Sequence, residues 1–413
     1  MSLICAAEVD PQRFRIERVH YSTDGSTREN ALEKSLSWDY ERVFNNRYEL
    51  EAYIQSKKNF LINKKIYKLV HISYEKTYED SYFVSVQIQV KLEESWTILP
   101  LPIYKYDDNL GLVMGMGLDY KNVLGSLSDF KTSYYYSQVK SEYRADWENV
   151  RAGPFLMDFK FNQLWETVKS ADSSGNTNLI YDYMESVLRV SLMFPLTDKF
   201  SYYTRPIIQL PYGYDFLMND TGNENSFYSR SGVIPAYNHL LEWDGINWIG
   251  NLRQGLEASI ENQIDFDIDA GKMVLWVDGM FKSHIYTPYF NYSSRVSSFY
   301  YYNDIKLNAA DRLRGVLDFK LSGNTGVFWN QSFPINVVEI KKAGQLQLVP
   351  FADMGFVLEE GQKLSSRDIQ YTSGLSLVVF PSFLPSFSLS IDYGINLRDF
   401  SERELRIDSQ LYF

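Results

Sequence analysis

Two stretches of this chain alternate for longer than an ordinary soluble strand does. From Phe387 to Leu397 the odd positions are apolar (Phe387, Leu389, Ile391, Tyr393, Ile395, Leu397) and the even ones small or polar (Ser388, Ser390, Asp392, Gly394, Asn396). Leu112, Met114, Met116, Leu118 and Tyr120 alternate in the same way with Val113, Gly115, Gly117 and Asp119. Successive side chains of a strand point to opposite faces, so each segment has one apolar face along its whole length. Soluble strands run to about 5–6 residues, whereas a strand crossing a bilayer needs about 9–11. Length therefore favours a transmembrane β-barrel. Helical spans are excluded: no run of about 18 apolar residues exists, and the longest candidate, Leu375 to Phe387, is broken by Pro381 and Pro385.

Composition agrees without deciding. Aromatic residues make up 16% of the 413, including 32 Tyr, as expected of girdles at two membrane interfaces, but a Tyr-rich soluble β-protein would show the same. A net charge of −11 argues against a nucleic-acid partner, which would require a basic face. One cysteine excludes a disulfide framework and any multi-thiolate site. The four histidines, His20, His71, His239 and His284, are too dispersed for a local ligand motif. The chain has no P-loop, GxGxxG, HExxH or GxSxG. No catalytic residue, metal site or cofactor is therefore expected.

The first residues pose their own question. Cys5 and Ala7, ahead of Glu8-Val9-Asp10-Pro11, have the spacing of a secretory cleavage site, so residues 1–7 read as a signal-peptide remnant. The charged and apolar regions that precede such a site are missing, and an ordinary polar start is the other reading.

The chain divides near residue 98. Residues 8–98 read as a small α+β domain in the order strand, helix, helix, strand, strand. Phe14, Ile16, Val19 and Tyr21 alternate with one slip, which predicts a bulge. Ser26-Thr27-Arg28-Glu29 fits a capping box with Ser26 at the N-cap and Glu29 at N3. A second helix begins near Tyr48, with Leu50, Tyr53, Ile54 and Leu61 on one face. Val70, Ile72 and Tyr74, then Val84, Val86, Ile88, Val90 and Leu92, mark two closing strands with one face buried under the helices. An open edge on such a sheet can accept an added strand, and a plain spacer domain is the alternative.

Residues 99–413 carry strand after strand. The last holds Leu405, Ile407, Leu411 and Phe413 on one face and Arg406, Asp408, Gln410 and Tyr412 on the other. Tyr-rich stretches at Ser133–Ser137, Phe200–Thr204 and Ser297–Tyr302 suggest tall strands and outer loops, and 219–231 reads as an extracellular loop. Residues 111–413 accommodate sixteen antiparallel strands at about 19 residues apiece, connections included. The alternation itself marks only about twelve, and Phe155 to Tyr289 is the least legible part.

A family resemblance appears in the C-terminal third. Asp311-Arg312-Leu313-Arg314-Gly315-Val316, followed by Gly323-Asn324-Thr325-Gly326 and a strand ending Ser332-Phe333-Pro334, resembles the sixth loop and following strand of the BamA/TamA superfamily. These are outer-membrane assembly barrels, and the two-partner secretion transporters are among them. The family's loop motif is valine or isoleucine, arginine, glycine, then an aromatic; Leu313, Arg314 and Gly315 fit, and Val316 departs. Phe351 to Val357 resembles the strand whose aspartate, here Asp353, faces the lumen, and Tyr371 to Phe413 resembles the last two strands. Pro102–Tyr106 with Gly111–Tyr120 resembles the start of the barrel, and Arg13 to Glu94 one POTRA domain.

The resemblance implies a loop lock in which Arg314 pairs with Asp353. Asn330 stands nearest to where the family adds a glutamate, so one carboxylate rather than two would hold the arginine. A solvated Arg314 is the alternative. The resemblance also implies a seam between the first strand (Leu112 to Tyr120, weakened by Gly115 and Gly117) and the last (Leu405 to Phe413, through Leu411). Opened sideways, that seam would insert other barrels or pass polypeptides, without chemistry and so not as an enzyme. The partners would be outer-membrane lipid, unfolded or exported client polypeptides and periplasmic accessory proteins, with the POTRA-like domain in the periplasm. A plain outer-membrane channel or structural barrel is the alternative function.

Overall fold

The alternating strand at Val84–Leu92 is central to the N-terminal unit in a computed structural model of the protein. The structure describes residues 13–79, 83–107, 111–153, 155–171, 177–219, 232–287, 291–304, 306, 308–317, 320–340, 343–382 and 387–411. The expected signal remnant, most of the 219–231 loop, Tyr412 and Phe413 lie outside these residues. The chain forms two units, residues 1–99 with 120–129, and residues 100–119 with 130–413. The boundary expected near 98 falls beside the observed one, but the segment Tyr120–Asp129 belongs with the small unit.

The small unit runs β1 (Arg13–Asp24), α1 (Glu29–Leu36), β2 (Val43–Phe44), α2 (Arg47–Asn63), β3 (Tyr67–Glu79) and β4 (Phe83–Glu94). Its sheet order is β2-β1-β4-β3. β1 and β4 are parallel, so the chain must cross over between them, and the helices lie in that crossover. Val84, Val86, Ile88, Val90 and Leu92 are buried together with Leu32, Leu36, Leu50, Ile54 and Leu61. The expected bulge in β1 falls between Ile16 and Arg18. β2, only two residues long, carries too little pattern to be seen in the sequence.

The capping box does not form. The N-cap of α1 is Arg28, without a side-chain cap. Ser26 and Thr27 turn instead to Glu94, at the end of β4. Its carboxylate accepts from Ser26 N (2.9 Å), Ser26 Oγ (3.0 Å), Thr27 N (2.6 Å) and the Thr27 hydroxyl. The Glu94 carboxylate gathers both N–H groups and both hydroxyls at once, which the Glu29 carboxylate of a local capping box does not. The free donor at Arg28 N goes to the carbonyl of Gly125, at 3.0 Å.

That carbonyl belongs to the turn Tyr120–Asp129, which is built into the small unit. Leu127 is buried in its core. Asn122 is also buried and donates through Nδ2 to Thr27 Oγ1 (2.7 Å) and Glu94 Oε1 (3.2 Å). Gly125 has φ +76°, and a Cβ there would meet Ser26 O at 2.0 Å, so only glycine fits.

The second unit is a closed antiparallel barrel. It comprises β5 (Ile98–Asp107), β6 (Gly111–Tyr120), β7 (Asp129–Tyr136), β8 (Lys140–Ala152), β9 (Phe155–Ala171), β10 (Thr177–Pro195), β11 (Phe200–Asn219), β12 (Ile234–Asp244) and β13 (Asn247–Ile249). It continues with β14 (Leu252–Asp267), β15 (Lys272–Tyr286), β16 (Asn291–Tyr302), β17 (Thr325–Ser332), β18 (Ile335–Ile340), β19 (Gly344–Leu358), β20 (Gln370–Pro381), β21 (Phe387–Asn396) and β22 (Arg403–Leu411). β12 and β13 both pair with β14, and β17 and β18 both pair with β19. Counting each such couple once gives sixteen strands among the described residues. The alternation is real: Leu112, Met114, Met116 and Leu118 are exposed on the outer face while Val113 and Asp119 are buried inside. Leu389, Ile391 and Tyr393 likewise point out, and Ser388 and Asn396 in. Among the described residues no helix is long and apolar enough to cross a membrane.

Candidate functional site: an inward loop and a short seam

β19 turns a row of buried residues inward, namely Gln347, Val349, Phe351 and Asp353. The segment Ala309–Leu317, from the connection between β16 and β17, lies over this row. Leu313 and Val316 are buried with Ala309, Ala310, Phe299 and Phe328, which seats the loop by burying apolar surface. Val316 thus fills part of this cluster.

Arg314 meets Asp353. Nε donates to Oδ2 at 2.8 Å and Nη2 to Oδ1 at 2.6 Å, the two-pronged geometry that suits a guanidinium and a carboxylate. Nη1 reaches Ser332 Oγ (3.2 Å) and Nη2 the carbonyl of Gln331 (3.3 Å). The Phe351 ring lies beneath, its centroid 3.8 Å from Cζ. The Asp353 side chain is fully buried, so the pair is shielded and removing either partner strands the other.

Asn330 sits opposite Asp353 in the ladder. Rather than adding a carboxylate to Arg314, it donates to the carbonyl of Arg312 at 2.9 Å and accepts from Arg295 Nε at 3.0 Å. Arg314 therefore meets a single carboxylate among the described residues, and Asn330 clamps the loop backbone beside it. Arg312 forms its own ion pair with Asp278 on β15 and stands over Phe299 and Phe328.

Three anchors were missed in the sequence. Gly315 N donates to Glu404 Oε2 at 2.8 Å, and Leu317 N to Glu402 Oε1 at 3.1 Å. The third is a close approach of two glycines. Gly315, at φ +91°, packs on Gly394, and a Cβ on either would fall within 2.8 Å of the other's backbone. Glu404 is buried and also holds Arg406 at 2.6 Å. The available signal was parity: Glu404, Arg406 and Asp408 share the inward face of β22.

The seam differs from the one expected. β22 pairs with β5, not with Leu112–Tyr120, which lies one strand further in. Pro102–Tyr106 resembles the start of the barrel, but Pro100 and Pro102 weaken its pattern as a first strand, because proline lacks an N–H. Between β22 and β5 the register joins Arg406 to Asp107 and Ile407 to Tyr106, and among the described residues it stops there. On its other side β22 pairs with β21 from Arg403 to Leu411. Of the expected seam residues, Leu405 and Leu411 lie on β22. Gly115 does not loosen β6: a Cβ there would strike Tyr134 O at 2.2 Å, so it permits close approach to β7. Gly117 has only ordinary contacts, and Tyr120 accepts from Leu124 N through its hydroxyl at 3.1 Å.

A closed barrel that follows a small domain with two helices on a four-stranded sheet is similar in fold to several solved structures. BamA from Haemophilus ducreyi lacking POTRA domains 1–3 matches over 96% of this chain and 85% of its own, at 13% identity and TM-score 0.56. CdiB from Acinetobacter baumannii matches over 96% and 74%, at 14% identity and TM-score 0.62. CdiB from Escherichia coli matches over 96% and 76%, at 12% identity and TM-score 0.62. At these identities the likeness is one of fold. No family model matches the sequence, and no curated protein does.

Proposed function

We propose that the protein is a bacterial outer-membrane barrel of the BamA/TamA type that inserts other barrels or passes polypeptides, working by strand exchange at the β5–β22 seam. The observation that carries this reading is the ladder between those strands, which among the described residues covers two positions. Neighbouring pairs such as β21–β22 run over nine positions. A short ladder parts at less cost than a long one, and a sheet edge, once exposed, recognises any extended polypeptide through its main chain. The barrel therefore parts there first. The inward loop, held by Asp353, Asn330 and Glu404, keeps the last strands in place while the seam works.

In this reading the small domain is POTRA-like and periplasmic, and β3, at one edge of its sheet, accepts an extended segment of the client. Outer-membrane lipid, unfolded or exported clients and periplasmic accessory proteins are the partners. No covalent step is involved, so the protein is not an enzyme. A polar lumen fits a plain channel too, but a channel has no use for a short ladder where its last strand meets its first.

The test is a disulfide across the registered pair, Tyr106→Cys with Ile407→Cys in a Cys5→Ser background. Locking the seam is expected to abolish assembly or export of outer-membrane clients, with recovery on reduction, and to leave ion conductance unchanged. Undiminished client handling in the oxidised protein would overturn the proposal.

A further inference from the structure

Among the described residues the small unit carries two large apolar side chains that are strongly exposed. Trp96 is 76% exposed and Leu124 is 67% exposed. Leu124 is also held in the left-handed region, at φ 50° and ψ 30°, where a Cβ is disfavoured. The surrounding bonds impose that conformation. Leu124 N donates to the Tyr120 hydroxyl, Gly125 N to the carbonyl of Asn122, and Arg28 N to the carbonyl of Gly125. A strained leucine turned outward has no reward in water. Trp96 and Leu124 are brought to the same end of the unit, because Lys121 N donates to the carbonyl of Thr97 at 2.7 Å. Trp96 comes two residues before β5 begins and Leu124 four after β6 ends, so both lie next in sequence to the strands read as entering the bilayer.

Charge adds a separate argument. From Ala52 to Tyr74 there are five lysines (Lys57, Lys58, Lys64, Lys65 and Lys68) and no Asp or Glu, in a chain whose net charge is −11. The turn after α2 is joined to the Trp96 segment, since Ser95 N donates to the carbonyl of Ile66 at 2.8 Å. Lysines beside an exposed tryptophan and leucine match a surface of anionic headgroups over acyl chains. Tryptophan favours that interfacial depth, and clustered lysines favour anionic lipid.

We infer that Trp96 and Leu124 dip into the bilayer surface, with Lys64, Lys65 and Lys68 on its anionic headgroups, so that the small unit is a lipid-binding module. This rests on the proposed membrane location of the barrel. The test uses the full chain, Cys5→Ser, in nanodiscs of phosphatidylethanolamine with phosphatidylglycerol, with a nitroxide at Leu124→Cys. Leu188→Cys on the outer face of β10 and Tyr48→Cys on α2, where Tyr48 is 81% exposed, serve as references. Oxygen concentrates in the bilayer and a nickel chelate in water.

Leu124→Cys is expected to match Leu188→Cys, and a Lys64, Lys65 and Lys68→Glu triple variant to shift it several-fold towards the chelate. Trp96→Phe is expected to remove part of the fluorescence quenched by brominated lipid, an arm that does not depend on labelling the turn. If Leu124→Cys behaves like Tyr48→Cys while Leu188→Cys reports lipid, the inference is overturned. If Leu188→Cys itself reports water, the membrane reading fails instead. An unchanged signal in the triple variant would overturn the role of the lysines.

Discussion

The backbone N–H of Gly315 donates to the buried carboxylate of Glu404 at 2.8 Å, and the same carboxylate holds Arg406 at 2.6 Å. The inward loop is thereby bonded to β22, the strand whose ladder to β5 covers two positions among the described residues. Glu404→Ala leaves both the loop N–H and the Arg406 guanidinium without their acceptor, a loss of about 3–5 kcal/mol for a buried pair. Glu404→Gln keeps an acceptor for Gly315 and costs less. Limited proteolysis of the loop in the folded barrel reads the difference: cleavage is expected in the alanine variant, with the glutamine variant intermediate.

Asp353→Ala is expected to destabilise the barrel by a similar amount, about 3–5 kcal/mol. Arg314→Lys also loses stability, because an ammonium supplies neither the fork to Asp353 nor the planar face that lies on Phe351. Heat-modifiable gel mobility measures both, and unchanged unfolding temperatures would show that the loop is not held by this pair.

Pro100 and Pro102 are spaced by two, so the N–H groups they lack would have pointed to the same edge of β5. Replacing both by alanine is expected to lengthen the β5–β22 ladder beyond Tyr106. Amide exchange at Asp408 to Leu411 should slow, and client handling should fall several-fold. Unaltered exchange there would place the missing donors on the β6 side.

Leu127→Ala opens a cavity in the small unit and should cost about 2–5 kcal/mol. Residues 13–99 are then expected to become protease-sensitive while the barrel keeps its heat-modifiable mobility. Gly125→Val should act in the same direction, since its Cβ would meet Ser26 O at 2.0 Å.

Burial, with the Glu33 carboxylate accepting its hydroxyl at 2.5 Å, pushes Tyr21 well above the usual tyrosine value of about 10. Its folded pKa exceeds the unfolded one. The stability it contributes is therefore complete below pH 10 and is lost as pH rises from there towards the raised value. Tyr67, also raised chiefly by burial, adds to the same loss. Alkaline unfolding of the small unit is expected to become less steep in Tyr21→Phe, measured by absorbance at a phenolate wavelength alongside circular dichroism.

Legibility in the sequence followed the regularity of the two faces. β4, β6 and β21 were read residue by residue because one face is apolar and the other small or polar throughout. β10 was not, since Val187 and Leu188 put apolar groups on both faces and register shifts near Ile180 and Asp182 break the parity. Arg314 and Asp353 were found through a motif, whereas Glu402 and Glu404 hold the loop by its backbone, and no side-chain pattern announces an N–H donor. Of β5 only Pro102–Tyr106 is legible, through the family resemblance, because its prolines weaken the strand pattern. Ser26 does not act as a helix cap because Glu94, 68 residues away, accepts from Ser26 and Thr27 through four donors together.

Leu127 reaches the core of the small unit from a turn made after β6. That unit is consequently not a cassette. A graft cut at residue 98 would carry an open core and an uncapped helix, and a chimera that is to keep it intact must bring the β6–β7 hairpin along. Exchange of such domains between barrels is then constrained to proceed with the first strands attached, so the two regions are expected to change together as sequences diverge.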